Sequence, residues 1–545
     1  MKLKYSFSPF LLALPLALSS CCEKHSSQAE KGSDGTAQTT AQTTLLAADN
    51  SDAMTIRQSL VRINSTIQVW SASQPWDKSA PKKRRALGAL LSGNRVLTTA
   101  EMAADATYIE LENADNTRII PARVTAIDYE ANLALLEPDN GDIDSFFEDL
   151  VPLSLGSSAK IGDRVDVWQL EDNGMPIVTD AVIQSVDIVS SFANGHFFLT
   201  YEAKGSMQSA SNSFTVPVIR NGELLGLLSS YDAKDQIIDI IAPEIINAFI
   251  SDTADGEYIG FPSLGIAITS TVDPNFRDWL KLSDDVGGLY VTKIRKGSAA
   301  QKAGLEKGDV IIEMNGKAIG RRGYYTDEQY GRLYWSHLIR GSLKQGDKAE
   351  LTILRSGEER KLTATLDRPE EPLVARDTYD QPPLYLIKGG LIFQELTAYY
   401  LKAFGKDWQS KAPLNLLDIM MTPEDYEEGR NKIVFLSAVI PTPATTGYER
   451  LRNFIINKVN GQTIADISSL IKAFEQPGPD GLHTIEFAEG PPRTIYLDAK
   501  ISDVVDTELL HQGRHDLLLV ARLESGHVCR RRFFLALRHH KLIPS

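Results

Sequence analysis

The stretch whose reading decides the fold is Arg95-Val96-Leu97-Thr98-Thr99-Ala100-Glu101-Met102, a β-rich run that ends in Leu-Thr and breaks into an alanine turn. Small residues and Gly93 precede it. The same habit repeats outward on both sides. Short β-type runs fall at 60–70, 86–91, 108–111, 119–127 and 133–136. More follow at 164–169, 181–189, 196–201, 215–219 and 224–228. Turn signals such as Ser92-Gly93-Asn94 and Arg220-Asn221-Gly222 stand between them. Short, evenly spaced strands of this kind predict paired β-barrels or a sandwich. A helix over 242–250 closes the region, with Pro243 at an early position that tolerates it.

The chain around this region has 545 residues, too many for one hydrophobic core, so three or more domains are expected. A net charge of −14 argues against a nucleic-acid binder, which needs a basic face. Lys2 and Lys4 precede an apolar run over 7–18, too short to span a bilayer and laid out as a secretion signal. It ends Leu18-Ser19-Ser20-Cys21, which resembles the bacterial lipobox, so Cys21 is the expected lipidation site. Two or more acyl chains at that cysteine would anchor the protein stably. Cys22 and Cys529 remain, as two thiols or as one bridge. Residues 23–50 carry almost no large apolar side chains, and 21–55 read as a flexible tether.

Several motifs in the β-rich region resemble one family. Leu97-Thr98-Thr99, Ala131-Asn132-Leu133-Ala134-Leu135-Leu136, Leu153-Ser154-Leu155-Gly156-Ser157 with Ile161-Gly162-Asp163, and Pro217 through Gly226 resemble the trypsin-like proteases of the HtrA/Deg family. The resemblance implies a trypsin-like double β-barrel over 56–252. It also implies that Glu101 stands where the family has its catalytic histidine, Asn132 where it has the aspartate, and Ser213 where it has the nucleophile. The family motif G-N-S-G-G-P appears here as Ser211-Asn212-Ser213-Phe214-Thr215-Val216-Pro217, with one extra residue. Glycines in that loop let backbone amides point at an oxyanion. Bulky Phe214 and branched Thr215 oppose that bend.

Histidine usage points the same way. The single histidine between 56 and 250 is His196, downstream of the aspartate position. A general base must reach the nucleophile with a pKa near the working pH, and a carboxylate such as Glu101 is too weak a base for a serine. In serine-protease measurements, losing the nucleophile or its histidine costs about 10⁶ in kcat.

Farther on, Phe261-Pro262-Ser263-Leu264-Gly265-Ile266, Gly297-Ser298-Ala299-Ala300 with Ala303-Gly304-Leu305, and Lys307-Gly308-Asp309-Val310 through Asn315-Gly316 resemble an HtrA-type PDZ domain. By that resemblance 253–368 is a PDZ domain. Ser263, Leu264, Gly265 and Ile266 are its carboxylate loop and edge strand, where a peptide C-terminus adds as an extra strand. Residues 369–381 continue a polar, Pro-rich linker begun at 367. Leu384 through Phe393, Gly447-Tyr448 and Val459-Asn460-Gly461 resemble the divergent second PDZ-type domain of the longer Deg proteases, over 382–505, with a helical insertion at 407–426. A basic tail over 506–545 follows. No metal-ligand spacing or phosphate-cradling loop is present, so neither metal nor cofactor is expected.

The fold class expected is therefore multidomain and mainly β: a trypsin-like double β-barrel followed by two PDZ-type α+β domains. The function expected is that of a lipid-anchored, periplasm-facing protein of the bacterial envelope that grips polypeptide without cutting it. Its partners would be polypeptide C-termini or unfolded proteins and the membrane, through the N-terminal lipid. Family members imply a trimer-based homo-oligomer. Two other readings stand beside it: a working serine endopeptidase with an unusual site at Ser213, and a purely structural scaffold.

Overall fold

The computed structural model describes residues 53–511 apart from 191, 193–195, 209–214, 255, 257 and 369–370. Cys21, Cys22, Cys529, Ser213, the expected signal, most of the tether and the strand and basic-cluster readings beyond 511 lie outside the described residues.

Two six-stranded barrels form the first half. The first consists of β1 (Leu60–Ile67), β2 (Lys82–Leu91), β3 (Arg95–Thr98), β4 (Ala106–Asn113), β5 (Ile119–Asp128) and β6 (Leu133–Pro138). They close in the order β1-β2-β3-β6-β5-β4, β4 pairing back onto β1. Closure leaves no edge strand to be capped. In the founding run, Val96 and Leu97 are completely buried, on opposite faces of β3 and in different core clusters. This is why the run reads as continuously apolar rather than alternating.

The second barrel contains β7 (Arg164–Leu170), β8 (Pro176–Ser190), β9 (Phe197–Lys204), β10 (Pro217–Arg220), β11 (Glu223–Asp232) and β12 (Ile237–Ile241), in the order β10-β11-β12-β9-β8-β7. Strand β12 is absent from the sequence expectation. It runs into the helix Pro243–Asp252 across Ala242 alone, with no turn residue to separate strand from helix. Pairing with both β11 and β9 holds it extended. Gly226 on β11 makes that approach possible, because a Cβ there would lie 2.4 Å from the Ile241 carbonyl oxygen.

The next sheet is β13 (Ile266–Ser270), β14 (Leu289–Ile294), β15 (Val310–Met314), β19 (Lys348–Arg355) and β20 (Glu358–Thr365), in that order, with β16 (Lys317–Ala318) pairing on β15. Asn315 and Gly316 both take positive φ in the β15–β16 turn, the hairpin geometry their sequence predicts. A separate hairpin, β17 (Tyr324–Asp327) and β18 (Gly331–Tyr334), is not legible in the sequence. Its turn residue Tyr330 meets the second barrel, hydroxyl to hydroxyl with Tyr201 at 2.8 Å, and donates to Glu244.

The last sheet runs β21 (Tyr385–Lys388), β22 (Leu391–Glu395), β23 (Val434–Val439), β24 (Phe454–Val459), β26 (Leu482–Phe487), β27 (Thr494–Asp498), with β25 (Gln462–Thr463) on β24. The helix Ile467–Phe474 opens with a capping box between Asp466 and Ser469. The insertion holds the helices Trp408–Lys411 and Leu414–Met421. The helix Ala499–His511 runs on past the expected end of the module at 505.

Residues 367–381 read as a polar linker, yet part of that segment is pinned. Tyr379 stacks on Tyr129 at 4.5 Å and on Phe192 at 4.9 Å. Asp380 and Asp105 exchange hydrogen bonds, each carboxylate accepting the other's backbone N–H at 2.6 and 2.9 Å. The Tyr129 hydroxyl also donates to Asp380. Each aromatic pair contributes about 0.5–1.5 kcal/mol beyond its burial. Tyr379→Ala is therefore expected to speed trypsin cleavage after the exposed Arg376 on the order of tenfold, since nicking tracks the population of the opened segment. Limited proteolysis followed by mass spectrometry reads it directly.

Candidate functional site

The barrels meet at a seam lined with polar groups, and a cleft of about 230 Å³ opens along it. Glu101, Asn132, Phe192, Ser230 and Asp239 are among its walls. Glu101 sits in the single-turn helix Ala100–Ala103 that follows β3. Asn132 lies in the turn between β5 and β6 with φ +56, a left-handed conformation that asparagine tolerates better than most residues. The turn also brings its side chain to the helix that follows β3, within the same barrel. Its Oδ1 accepts the backbone N–H of Glu101 at 3.0 Å.

Burial pushes the Glu101 carboxyl above its ordinary value, with Arg84 opposing. Arg84 also donates to the Glu101 carbonyl at 2.6 Å. Asp239, on β12, is raised by burial too, and by Glu202 and Asp232, while a hydrogen bond from Ser230 pulls it down. The cleft thus carries two carboxylates from different barrels.

Thr215, the first described residue after the loop at 209–214, explains itself. Its hydroxyl meets that of Thr99 at 2.6 Å inside the seam, and both residues are 1% exposed. Its carbonyl accepts the N–H of Leu87 at 2.9 Å. Two buried hydroxyls that satisfy each other cost little, whereas one alone costs about 1–3 kcal/mol.

His196 precedes β9 rather than lying within it, and it is not among the residues lining the cleft. Its Nδ1 lies 2.8 Å from Glu130 and 3.3 Å from Arg340, which itself contacts Glu130 at 3.3 Å. Burial and the crossing hydrogen bond act on Glu130 in opposite directions, and its carboxyl is held below the usual range. The Arg340 guanidinium also lies over the Phe198 ring at 5.1 Å. This group joins both barrels to the helix His337–Arg340 of the following domain.

The loop Ser263–Ile266 leads into β13, an edge strand that pairs only with β14 among the described strands. Gly265 has φ +72, and a Cβ there would fall 2.4 Å from that of Ser298, so no other residue fits. Leu264 is 2% exposed and turns inward. Two of the loop amides are already committed. Ser263 N–H donates to the Asp367 carbonyl at 3.2 Å, and Gly265 N–H to the Ser263 hydroxyl at 3.1 Å.

Comparison with known proteins agrees with this architecture. Residues 262–366 and 374–514 each match a PDZ domain family. The mitochondrial Do-like protease 3 of Arabidopsis thaliana is 26% identical over 457 residues, covering 82% of this chain and 78% of that protein. The chloroplastic Do-like protease 2 of the same plant is 27% identical over 75% of this chain and 67% of its own length. A DegP-like periplasmic serine endoprotease of Marinomonas is 24% identical over 73% of this chain and 82% of its own. Two PDZ domains and similarity to Do-like and DegP-like proteases over most of the chain support placing it with the HtrA/Deg proteins.

In this chain the structure brings Glu101 and Asn132 together, while Ser213 lies outside the described residues. Sequence reasoning did not single out Glu130, Arg340, Asp239 or Tyr379. Asp239 belongs to the strand that was not anticipated. The other three earn their place through contacts between domains, for which no local pattern exists.

A double-mutant cycle on the seam gives a sharp check. Thr99→Val alone is expected to destabilise by about 1–3 kcal/mol, because it strands the Thr215 hydroxyl. Thr99→Val with Thr215→Val should cost clearly less than the sum of the single changes in denaturant titration.

Proposed function

We propose that this protein is a proteolytically inactive HtrA/Deg member of the bacterial envelope, which binds polypeptide C-termini or unfolded segments through its first PDZ domain. The observation that carries the reading is the Glu101–Asn132 contact. In a serine protease a carboxylate orients an imidazole that takes the nucleophile's proton. Here the corresponding pair is a side-chain amide bound to a backbone N–H and a carboxyl group partly withdrawn from water. Neither supplies a base of suitable strength near neutral pH. His196 is engaged with Glu130 and Arg340.

The binding half of the reading rests on β13, whose outer edge has no partner strand among the described residues and whose Ala267, Thr269 and Ser270 are exposed. An extended peptide could add there as another strand, main chain to main chain. Such a protein acts as a chaperone, adaptor or regulator of an active relative.

Incubation of the full chain with unfolded casein and a fluorophosphonate probe tests the first half. No casein loss and no probe on Ser213 are expected. Labelling that disappears in Ser213→Ala would overturn the inactive reading and favour the endopeptidase.

We propose in addition that Cys21 carries the lipid that holds the protein to the membrane, facing the periplasm, and that the assembled form is trimer-based. The lipobox-like Leu18-Ser19-Ser20-Cys21 supports the first statement, and similarity to the HtrA/Deg proteins the second. Cys21→Ser is expected to abolish radioactive palmitate incorporation and move the protein from the membrane to the soluble fraction.

A further inference from the structure

We infer that the Arg295 side chain is the carboxylate anchor of the first PDZ domain, and that with Arg376 it selects peptides with acidic C-termini. This rests on the reading of Ser263–Ile266 as the peptide site, and it names what that site prefers.

The geometry begins with the loop itself. A terminal carboxylate is held either by backbone amides or by a cation. In this loop the N–H of Ser263 and that of Gly265 already have internal acceptors, the Asp367 carbonyl and the Ser263 hydroxyl. The backbone alone is therefore a depleted donor set, and a charged donor has to make up the difference.

The backbone and Cβ of Arg295 lie against this loop, within a side chain's length of it. It follows the end of β14, next to the Ile266–Ile294 pair that opens the edge strand. Its backbone N–H donates to the Gly265 carbonyl at 2.8 Å, and its Cβ lies 3.6 Å from where a Gly265 Cβ would stand. Yet its guanidinium makes no hydrogen bond or ion pair among the described residues. A half-buried cation without a partner loses hydration and gains nothing in exchange, so an incoming anion is favoured.

The neighbourhood is positive beyond Arg295. Burial, followed by the fields of Arg376 and Arg340, depresses the Arg295 guanidinium, and Glu130 is the only acid that opposes them. Glu130 is itself engaged by Arg340 and His196. Arg340 is taken up by Glu130 and also faces Asp128, which leaves Arg295 and Arg376 as guanidinium groups without an acidic hydrogen-bond partner among the described residues. A ligand bearing a single terminal charge leaves part of that excess uncompensated. A ligand that ends in Asp or Glu presents two charges and meets more of it.

The test uses the full chain and three fluorescent decapeptides that differ only at the end: Val with a free carboxylate, Val amide, and Glu with a free carboxylate. Anisotropy titration of wild type should rank Glu acid above Val acid, and both above the amide. Arg295→Gln should weaken the two acids on the order of tenfold and leave the amide unchanged. Arg295→Glu should bind the amide better than either acid. Raising the salt concentration should erode wild-type affinity for the Glu peptide more than for the amide. Acid and amide affinities that are equal in wild type, or unaltered by Arg295→Gln, would sink the anchor while leaving the PDZ reading in place. Failure of wild type to bind any of the three would remove the PDZ reading and the anchor with it.

Discussion

Two hydroxyls meeting inside the seam between the barrels set a constraint that the rest of the molecule obeys. Neither Thr99 nor Thr215 reaches water, so each needs the other, and the barrels have to stand where the two can meet. The Leu87–Thr215 backbone bond adds to the same seam, and the Asn132–Glu101 contact fixes the wall of the first barrel beside it. The cleft is the space left over once these polar pairs are made. Its chemistry is set by which side chains happen to end there: among the described residues, two carboxylates and no imidazole.

The first PDZ domain is bound to this platform by charge and hydroxyl networks. Tyr330 reaches Tyr201 and Glu244, and Arg340 reaches Glu130 and His196. Glu130 is two residues from Asn132, so the helix that carries Arg340 and the turn that carries Asn132 share a neighbour. The segment between the PDZ domains returns to the same rim, with Tyr379 held between Tyr129 and Phe192. Phe192 lines the cleft. Ser263–Ile266, the linker and the Glu101–Asn132 pair therefore lie in domains joined by side-chain contacts.

Much of this was legible residue by residue. The helix Ile467–Phe474 and the strand Val310–Met314 occupy the ranges their patterns predict, because period and capping are local properties. Strand β12 was not legible, since Ile237–Ile241 runs into a helix without a turn and is held extended only by two neighbours distant in sequence. The hairpin β17–β18 was missed for a related reason: its turn residue Tyr330 finds its partners in the second barrel, far off in sequence.

What the sequence determined by itself was the order of the domains and the chemical identity of the altered positions. Motif spacing and residue type suffice for that, and an absent histidine is absent in any fold. Only the tertiary structure decided what surrounds those positions: Asn132 turned onto a backbone amide, His196 drawn to Glu130 and Arg340, and Arg295 set beside Gly265 with no side-chain partner among the described residues. Hydrogen bonds and ion pairs form between residues up to hundreds of positions apart, and the chain has no short-range pattern that records such meetings.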